Sequence, residues 1–248
     1  TRARNCFLYT KKGIRLTDLF QEDGRAILGW AGGNAYTFMK NAMNRGVSGS
    51  FITESSDRVE KAVSKLFNSN RQIAYFSNKA DAVKYALLFS KESTIVWKPW
   101  STFQQDISSV KSIVFAPTFP WTDSIYIVAI QKDLYSENIE LDDFAKNKMK
   151  IPFPLQAGIA RSIYNLIEAL SERKETDWFI YDSILTKYWT RKGPYLFPKV
   201  PKENYDKFIL HCLSLGIIIN PNYDSPSIVP FGADKGVFTK LKNSPFNY

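Results

Sequence analysis

The sequence predicts an α/β fold: a small mixed sheet with helices, followed by a C-terminal section of helices and short strands. Three observations carry this expectation. Residues 71–91, RQIAYFSNKADAVKYALLFSK, pass from a short apolar run through a polar turn into an amphipathic stretch, as a strand feeding a helix does. Two further runs, 112–115 and 124–130, are rich in β-branched residues and bounded by turn residues. Near Ile151 the apolar spacing changes from strand-like to helix-like, which divides the chain into residues 1–150 and 151–248.

In chain order, CFLYTKKGIRLTDLF holds two apolar runs about Lys11-Lys12-Gly13 and reads as a β-hairpin or an extended arm, with a second turn at Glu22-Asp23-Gly24. Gly32-Gly33 permit backbone shapes closed to other residues, and Asn34 suits the cap of a helix over 35–45 that Gly46 ends. The glycine pair lacks the common phosphate-loop spacings and reads as a structural turn. Ser56 is placed to cap a helix reaching Phe67, whose Val59, Ala62, Val63 and Leu66 share a face. Residues 72–76 then read as a strand, Ser77-Asn78-Lys79 as the turn and 80–90 as a helix. A helix start of this kind suits an anion, since free N–H groups and the helix dipole point at it, although an ordinary strand–helix unit shows the same pattern.

Beyond it, a short strand at 94–97 exits through Lys98-Pro99-Trp100, and Pro117 and Pro120 force a loop over 116–121 between the two later strands. Leu155, Ile159, Ile163, Leu166, Ile167 and Leu170 mark a long amphipathic helix closing near Arg173. A second helix is expected from Asp177 to about Trp189 with Thr176 as N-cap, and a third over 202–215 with Gly216 as its stop. Residues 217–219 and 227–229 are expected to pair with each other about Asn220-Pro221, before a short helix near 237–241.

With 248 residues, 44% of them apolar and 15% aromatic, the chain has the means to bury a sizeable core. No apolar run approaches the roughly 18 to 20 residues that cross a bilayer, and the basic start has no signal-peptide core behind it, so a soluble cytoplasmic protein is expected. Cys6 and Cys212 sit among apolar neighbours and read as buried free thiols. His211 is the only histidine, which removes serine–histidine triads, multi-histidine metal sites and zinc fingers; it reads as a packed helix residue, and no metal site is expected. The net charge of +9 admits an anionic partner without choosing one.

Taken together, these pieces resemble the class III aminotransferases, pyridoxal phosphate enzymes of fold type I. LYTKKGIRLTDLFQEDGRAILGW is similar to the family's N-terminal arm, SNKADAVKYALLFSK to its phosphate-cup turn and helix, IPFPLQAGIARSIYNLIEAL to the entry of its interdomain helix, and LGIIINPNYDSPSIVPF to its C-terminal strands. The resemblance implies a reduced fold type I sheet with helices and a C-terminal α+β section, a remnant phosphate cup at Ser77, Asn78 and Lys79, and a homodimer with the arm and the 35–45 helix near the interface.

The departures fall where the chemistry belongs. Lys79 and Ala80 stand where the family offers Gly-Ser or Gly-Thr to the cofactor phosphate, and Ala116-Pro117 where its ring-nitrogen aspartate closes a strand. No lysine occurs between Lys111 and Lys132, where the Schiff-base lysine belongs, and the chain is shorter than a full family member between Lys91 and Ile151. Activity would need Lys98, Lys111 or Lys132 to reach the cleft; Lys98 is the first candidate for a catalytic lysine and Lys132 the next, and each of these two otherwise reads as a solvent-exposed strand-end residue. The resemblance thus implies a pseudoenzyme, a transferase only if activity persists, in which pyridoxal phosphate forms no lysine aldimine. The alternative is a non-enzymatic basic protein that binds nucleic acid, an acidic protein or a small anionic ligand, supported by KYWTRKGPY at 187–195, where aromatics interleave with cations; a helix end with solvated cations reads the same way. Nucleic-acid binding at physiological salt is expected to be weak and non-specific.

Overall fold

The computed structural model describes residues 2–49, 57–101, 106–137 and 148–248. In chain order the elements are β1 (Arg2–Arg4), β2 (Phe7–Tyr9), β3 (Arg15–Asp18), α1 (Ala35–Asn44), α2 (Asp57–Leu66), β4 (Arg71–Phe76), α3 (Lys79–Phe89), β5 (Thr94–Val96), β6 (Ser112–Phe115), β7 (Tyr126–Gln131) and α4 (Lys132–Glu137). They continue as α5 (Phe153–Glu172), α6 (Thr176–Phe179), α7 (Asp182–Leu185), β8 (Trp189–Lys192), β9 (Tyr195–Pro198), α8 (Lys202–Ser214), β10 (Ile217–Ile218), β11 (Ser227–Ile228) and α9 (Thr239–Asn243). The fold is α/β, and the chain forms two compact units: Gly32–Leu170, and Thr1–Ala31 together with Ser171–Tyr248. These units do not follow a division at residue 150, because β3 is drawn into a parallel pair with β10 at the far end of the chain.

The unit Gly32–Leu170 is built on a mixed four-stranded sheet of order β4-β7-β6-β5, antiparallel except for the β5–β6 pair. Strands 72–76 and 112–115 thus share one sheet, as the patterning requires. Alternation along the strands sends residues to two covered faces. Ala74, Phe76, Val114, Val128 and Ile130 meet Ala82, Tyr85, Ala86 and Phe89 of α3, while Ile113, Phe115, Ile127 and Ala129 meet Val59, Ala62 and Val63 of α2 and Leu155, Ile159 and Ile163 of α5. Burial of each large apolar side chain here contributes about 1.5 to 3 kcal/mol before the entropy of ordering is counted.

The expected cap Ser56 lies outside the described residues. Asn34 occupies the N-cap position of α1, but its side chain makes no capping bond. Helix α4, which starts directly at the end of β7, has no counterpart in the sequence expectations. Pro154 falls in the first turn of α5, where a missing N–H leaves no intrahelical bond unmade.

In the unit of Thr1–Ala31 and Ser171–Tyr248, the expected hairpin is present: β2 pairs antiparallel with β3, with β1 added on one side and β10 on the other. Asp18, fully buried, accepts from the N–H groups of Phe20 and Gln21 and from Trp30 Nε1, each at 2.9 Å. Strands 217–219 and 227–229 do not pair with each other. β10 joins β3, while β11 joins β9 in a second sheet of order β11-β9-β8.

The helix expected over 177–189 is likewise two short helices, α6 and α7, followed by a strand. Tyr181 donates its hydroxyl to the Ala233 carbonyl at 2.5 Å, and Asp182 holds Arg191 of β8 through two bonds of 2.5 and 2.8 Å.

Candidate functional site

Strand register places four chain ends along one edge of the β4-β7-β6-β5 sheet. Phe76 at the end of β4 faces Tyr126 at the start of β7, Phe115 at the end of β6 faces Ile127, and Val96 at the end of β5 faces Val114. The turn Ser77-Asn78-Lys79, Lys98 and Ala116-Pro117 all leave the sheet on this edge. With neighbouring strands about 4.8 Å apart, the lines of β4 and β5 are separated by about 14 Å.

At the cup, Ser77, Asn78 and Lys79 are exposed. Asn78 caps α3: its Oδ1 accepts from the Asp81 N–H at 2.8 Å, and its Nδ2 donates to Asp81 Oδ2 at 2.7 Å. A carboxylate therefore already stands in the first turn, complementing the dipole that an incoming phosphate would use. Lys98, half-buried, follows Trp97, whose N–H donates to the Val114 carbonyl at 2.8 Å and whose ring meets Phe67 and Phe115 edge-on. The Lys98 carbonyl accepts from the Ser101 N–H at 3.2 Å and from its hydroxyl.

Lys132 and Lys111 lie on the opposite edge. Lys132, exposed at the start of α4, donates its N–H to the Asn70 carbonyl at 3.1 Å, and the Lys111 carbonyl accepts from the Gln131 N–H at 3.0 Å. The structure thus brings Lys98 to the edge of Ser77, Asn78 and Lys79 and leaves Lys132 a full strand away.

That opposite edge holds a group the sequence reading missed. Arg71 is 1% exposed, and its guanidinium donates to Ser69 Oγ and the Val110 carbonyl at 2.7 Å and to the Ile107 carbonyl at 3.2 Å, with longer bonds to the carbonyls of Ser108, Ala129 and Lys111. Every acceptor is a carbonyl or hydroxyl oxygen, and burial pulls the Arg71 pKa down to about 10. An arginine opening a strand gives no sign in sequence of whether it points outward or into such a cage.

KYWTRKGPY does not present the stacking platform expected of a single-strand binder. Tyr188, Trp189 and Tyr195 are buried, with the rings of Tyr188 and Trp189 each 5.1 Å from Phe208, and Arg191 is held by Asp182 and by Glu175 at 2.6 Å. The stretch forms the β8–β9 hairpin, whose buried face needs the aromatics for its own core. Among the described residues no group of His, Cys, Asp and Glu could hold a metal ion, and no helix is long and apolar enough to cross a membrane.

The glycine turn, in contrast, is built into a contact with α5. Gly32 and Gly33 have φ of 56° and 66°, and a Cβ on Gly33 would stand 2.6 Å from Asn165 Nδ2, which donates to the Gly32 carbonyl at 2.8 Å. Freed from capping, Asn34 accepts through Oδ1 from Arg161 Nε at 2.7 Å.

No protein-family model matches the sequence. An uncharacterized protein of Treponema pallidum (strain Nichols) is 23% identical over 270 residues, covering 92% of this chain and 88% of its own length. Another, from Borreliella burgdorferi, is 24% identical over 252 residues, covering 99% and 89%. Among solved structures, the ornithine aminotransferase of Toxoplasma gondii ME49 superposes with a TM-score of 0.71 at 10% identity over 98% of this chain and 89% of that one. The ornithine aminotransferase of Plasmodium yoelii gives 0.68 at 13% identity over 98% and 91%, and the taurine:2-oxoglutarate aminotransferase of Bifidobacterium kashiwanohense 0.71 at 10% over 98% and 91%. At these identities the likeness establishes the fold, which is similar to that of the fold type I aminotransferases.

Proposed function

We propose that this chain is an aminotransferase-like protein that has kept the scaffold and lost ordinary transaminase chemistry. The observation that carries the reading is the residue set along the sheet edge where β4, β5 and β6 end. Pyridoxal phosphate supplies an electron sink when it is held as a lysine aldimine with its ring nitrogen paired to a carboxylate. The residues here do not fit it. Ala116-Pro117 follow β6 with no carboxylate, the turn after β4 offers Lys79-Ala80 without a glycine, and the start of α3 is capped by Asn78 with the Asp81 carboxylate beside it. Lys98 is the one candidate lysine that shares this edge with the cup, some 14 Å across the sheet.

The reading includes a homodimer. On α1, Tyr36 and Met43 are seven residues apart and so lie on one helix face; they are 36% and 55% exposed, an apolar pair suited to a second copy of the chain.

Incubation with pyridoxal phosphate, borohydride reduction and peptide mapping by mass spectrometry tests the proposal. Scattered, substoichiometric labelling of surface lysines is the expected result. Stoichiometric labelling of Lys98 alone, abolished in Lys98→Ala, would restore the enzyme reading.

A further inference from the structure

A second site is independent of the aldimine question and lies on the other side of the unit Gly32–Leu170. A cavity of about 310 Å³ opens between α1, α2 and α5, lined by the rings of Phe38 and Tyr164, by Ala157 and Ala160, and by the cations Arg58, Lys61 and Arg161. That volume sits at the small end of the range for ligand pockets. Three cations line it, and no carboxylate does among the described residues.

The arrangement of Arg161 is what a packing account leaves unexplained. Its guanidinium lies over the Phe38 ring, 5.1 Å from the centroid, and Nε is held by Asn34 at 2.7 Å, so the fork is positioned while its terminal nitrogens have no hydrogen-bond partner among the described residues. Asn34 stands at the N-cap of α1, where a side-chain cap contributes about 1 kcal/mol, and it forgoes that bond to hold Arg161. The Gly32-Gly33 turn that presents Asn34 is pinned to α5 one turn further along by Asn165, close enough that a Cβ on Gly33 could not be accommodated without a shift. A local rule broken at a glycine turn, with the released side chain orienting an arginine into a basic, aromatic-walled cavity, is the pattern of a binding site.

The geometry points to a site for a phosphate monoester whose molecule also bears a flat ring, as a nucleoside monophosphate does. Three cations suit a dianion better than a monoanion, Arg161 offers the planar fork that phosphate oxygens accept, and the Phe38 and Tyr164 walls suit a ring more than an alkyl chain. The site is separate from Ser77, Asn78 and Lys79, which leave the edge of the sheet at β4.

Adenosine 5′-monophosphate is the probe. Calorimetric titration of the full chain is expected to show one saturable site that weakens as salt is raised, about tenfold weaker binding in Arg161→Gln and about threefold in Asn34→Ala, with Lys79→Ala unchanged. If Arg161→Gln fails to fold, the double variant Arg58→Gln/Lys61→Gln, on the exposed face of α2, is expected to show the same loss. Absence of binding up to about 10 mM, retention of binding in a folded Arg161→Gln protein, or inorganic phosphate or benzoate binding as tightly as the nucleotide would each overturn the assignment.

Discussion

Asn78 and Asp81 satisfy each other at the start of α3, the asparagine side chain accepting from the aspartate N–H at 2.8 Å and donating to its carboxylate at 2.7 Å. The turn that resembles a cofactor phosphate cup is therefore a self-sufficient helix cap. Asn78→Ala is expected to lower stability by about 1 kcal/mol in urea denaturation, since it removes the cap and leaves an N–H of the first turn to water. Lys79→Ala, at an exposed position, is expected to stay within about 0.5 kcal/mol. Equal losses in the two variants would mean that the lysine side chain holds the turn as much as the asparagine does.

Arg71 organises the opposite edge of the same sheet. Its bonds to the carbonyls of Ile107, Ser108 and Val110 tie that stretch to the β4 strand, and a lysine, a single point donor on a flexible stem, cannot replace the fork. Arg71→Lys is expected to cost about 3 kcal/mol by leaving buried carbonyls without donors. The loss should be accompanied by faster amide exchange of Val110. A variant within about 0.5 kcal/mol of the parent would show that water enters and satisfies the cage.

Much of the larger unit was legible in the sequence because its signals are local. β6 is a continuous apolar run ended by Ala116-Pro117, and its observed bounds, Ser112–Phe115, are the expected ones. The strand–turn–helix of β4 and α3 shifts by a single residue at each start. What failed depends on partners far away in the chain. Residues 217–219 carry strand character but no mark of which strand they join, and their neighbour proves to be β3, about 200 residues earlier. The 177–189 segment has helical spacing, yet Trp189 at its end is taken into the β8–β9 pair opposite Pro198, a partner that local spacing does not show. Among candidate site residues, the turn at 77–79 was visible for the same local reason. The α1–α2–α5 cavity was not, since Phe38, Arg58, Lys61 and Arg161 come from three separate segments, and its one sequence trace is Gly32-Gly33-Asn34.

The two thiols give the last prediction, and it concerns pH. Cys6 and Cys212 are buried at 5% and 0% exposure, and burial, the largest influence on both, pushes their pKa up to about 11 and about 12 from an ordinary 9. A raised acid pKa means that the folded chain keeps protons the unfolded chain releases, so stability is level below about pH 9 and falls as pH rises through the folded values. The buried arginines act the other way, but only later: Arg71 and Arg173 are lowered to about 10, so their contribution begins to rise only above that pH. Tyr75, Tyr181, Tyr195 and Tyr205, which burial raises from an ordinary 10, add to the fall only as pH approaches 10. The thiols therefore lead the decline between pH 9 and 10, and the expected loss by pH 10 is on the order of 1 kcal/mol per thiol. Denaturation at pH 8, 9 and 10 checks the sign, and Cys212→Ala should flatten the decline even though its cavity lowers the whole curve. At neutral pH a disulfide reagent should leave both cysteines unmodified in the folded chain and react with both in denaturant; rapid labelling of native Cys6 or Cys212 would show that its burial is breached in solution.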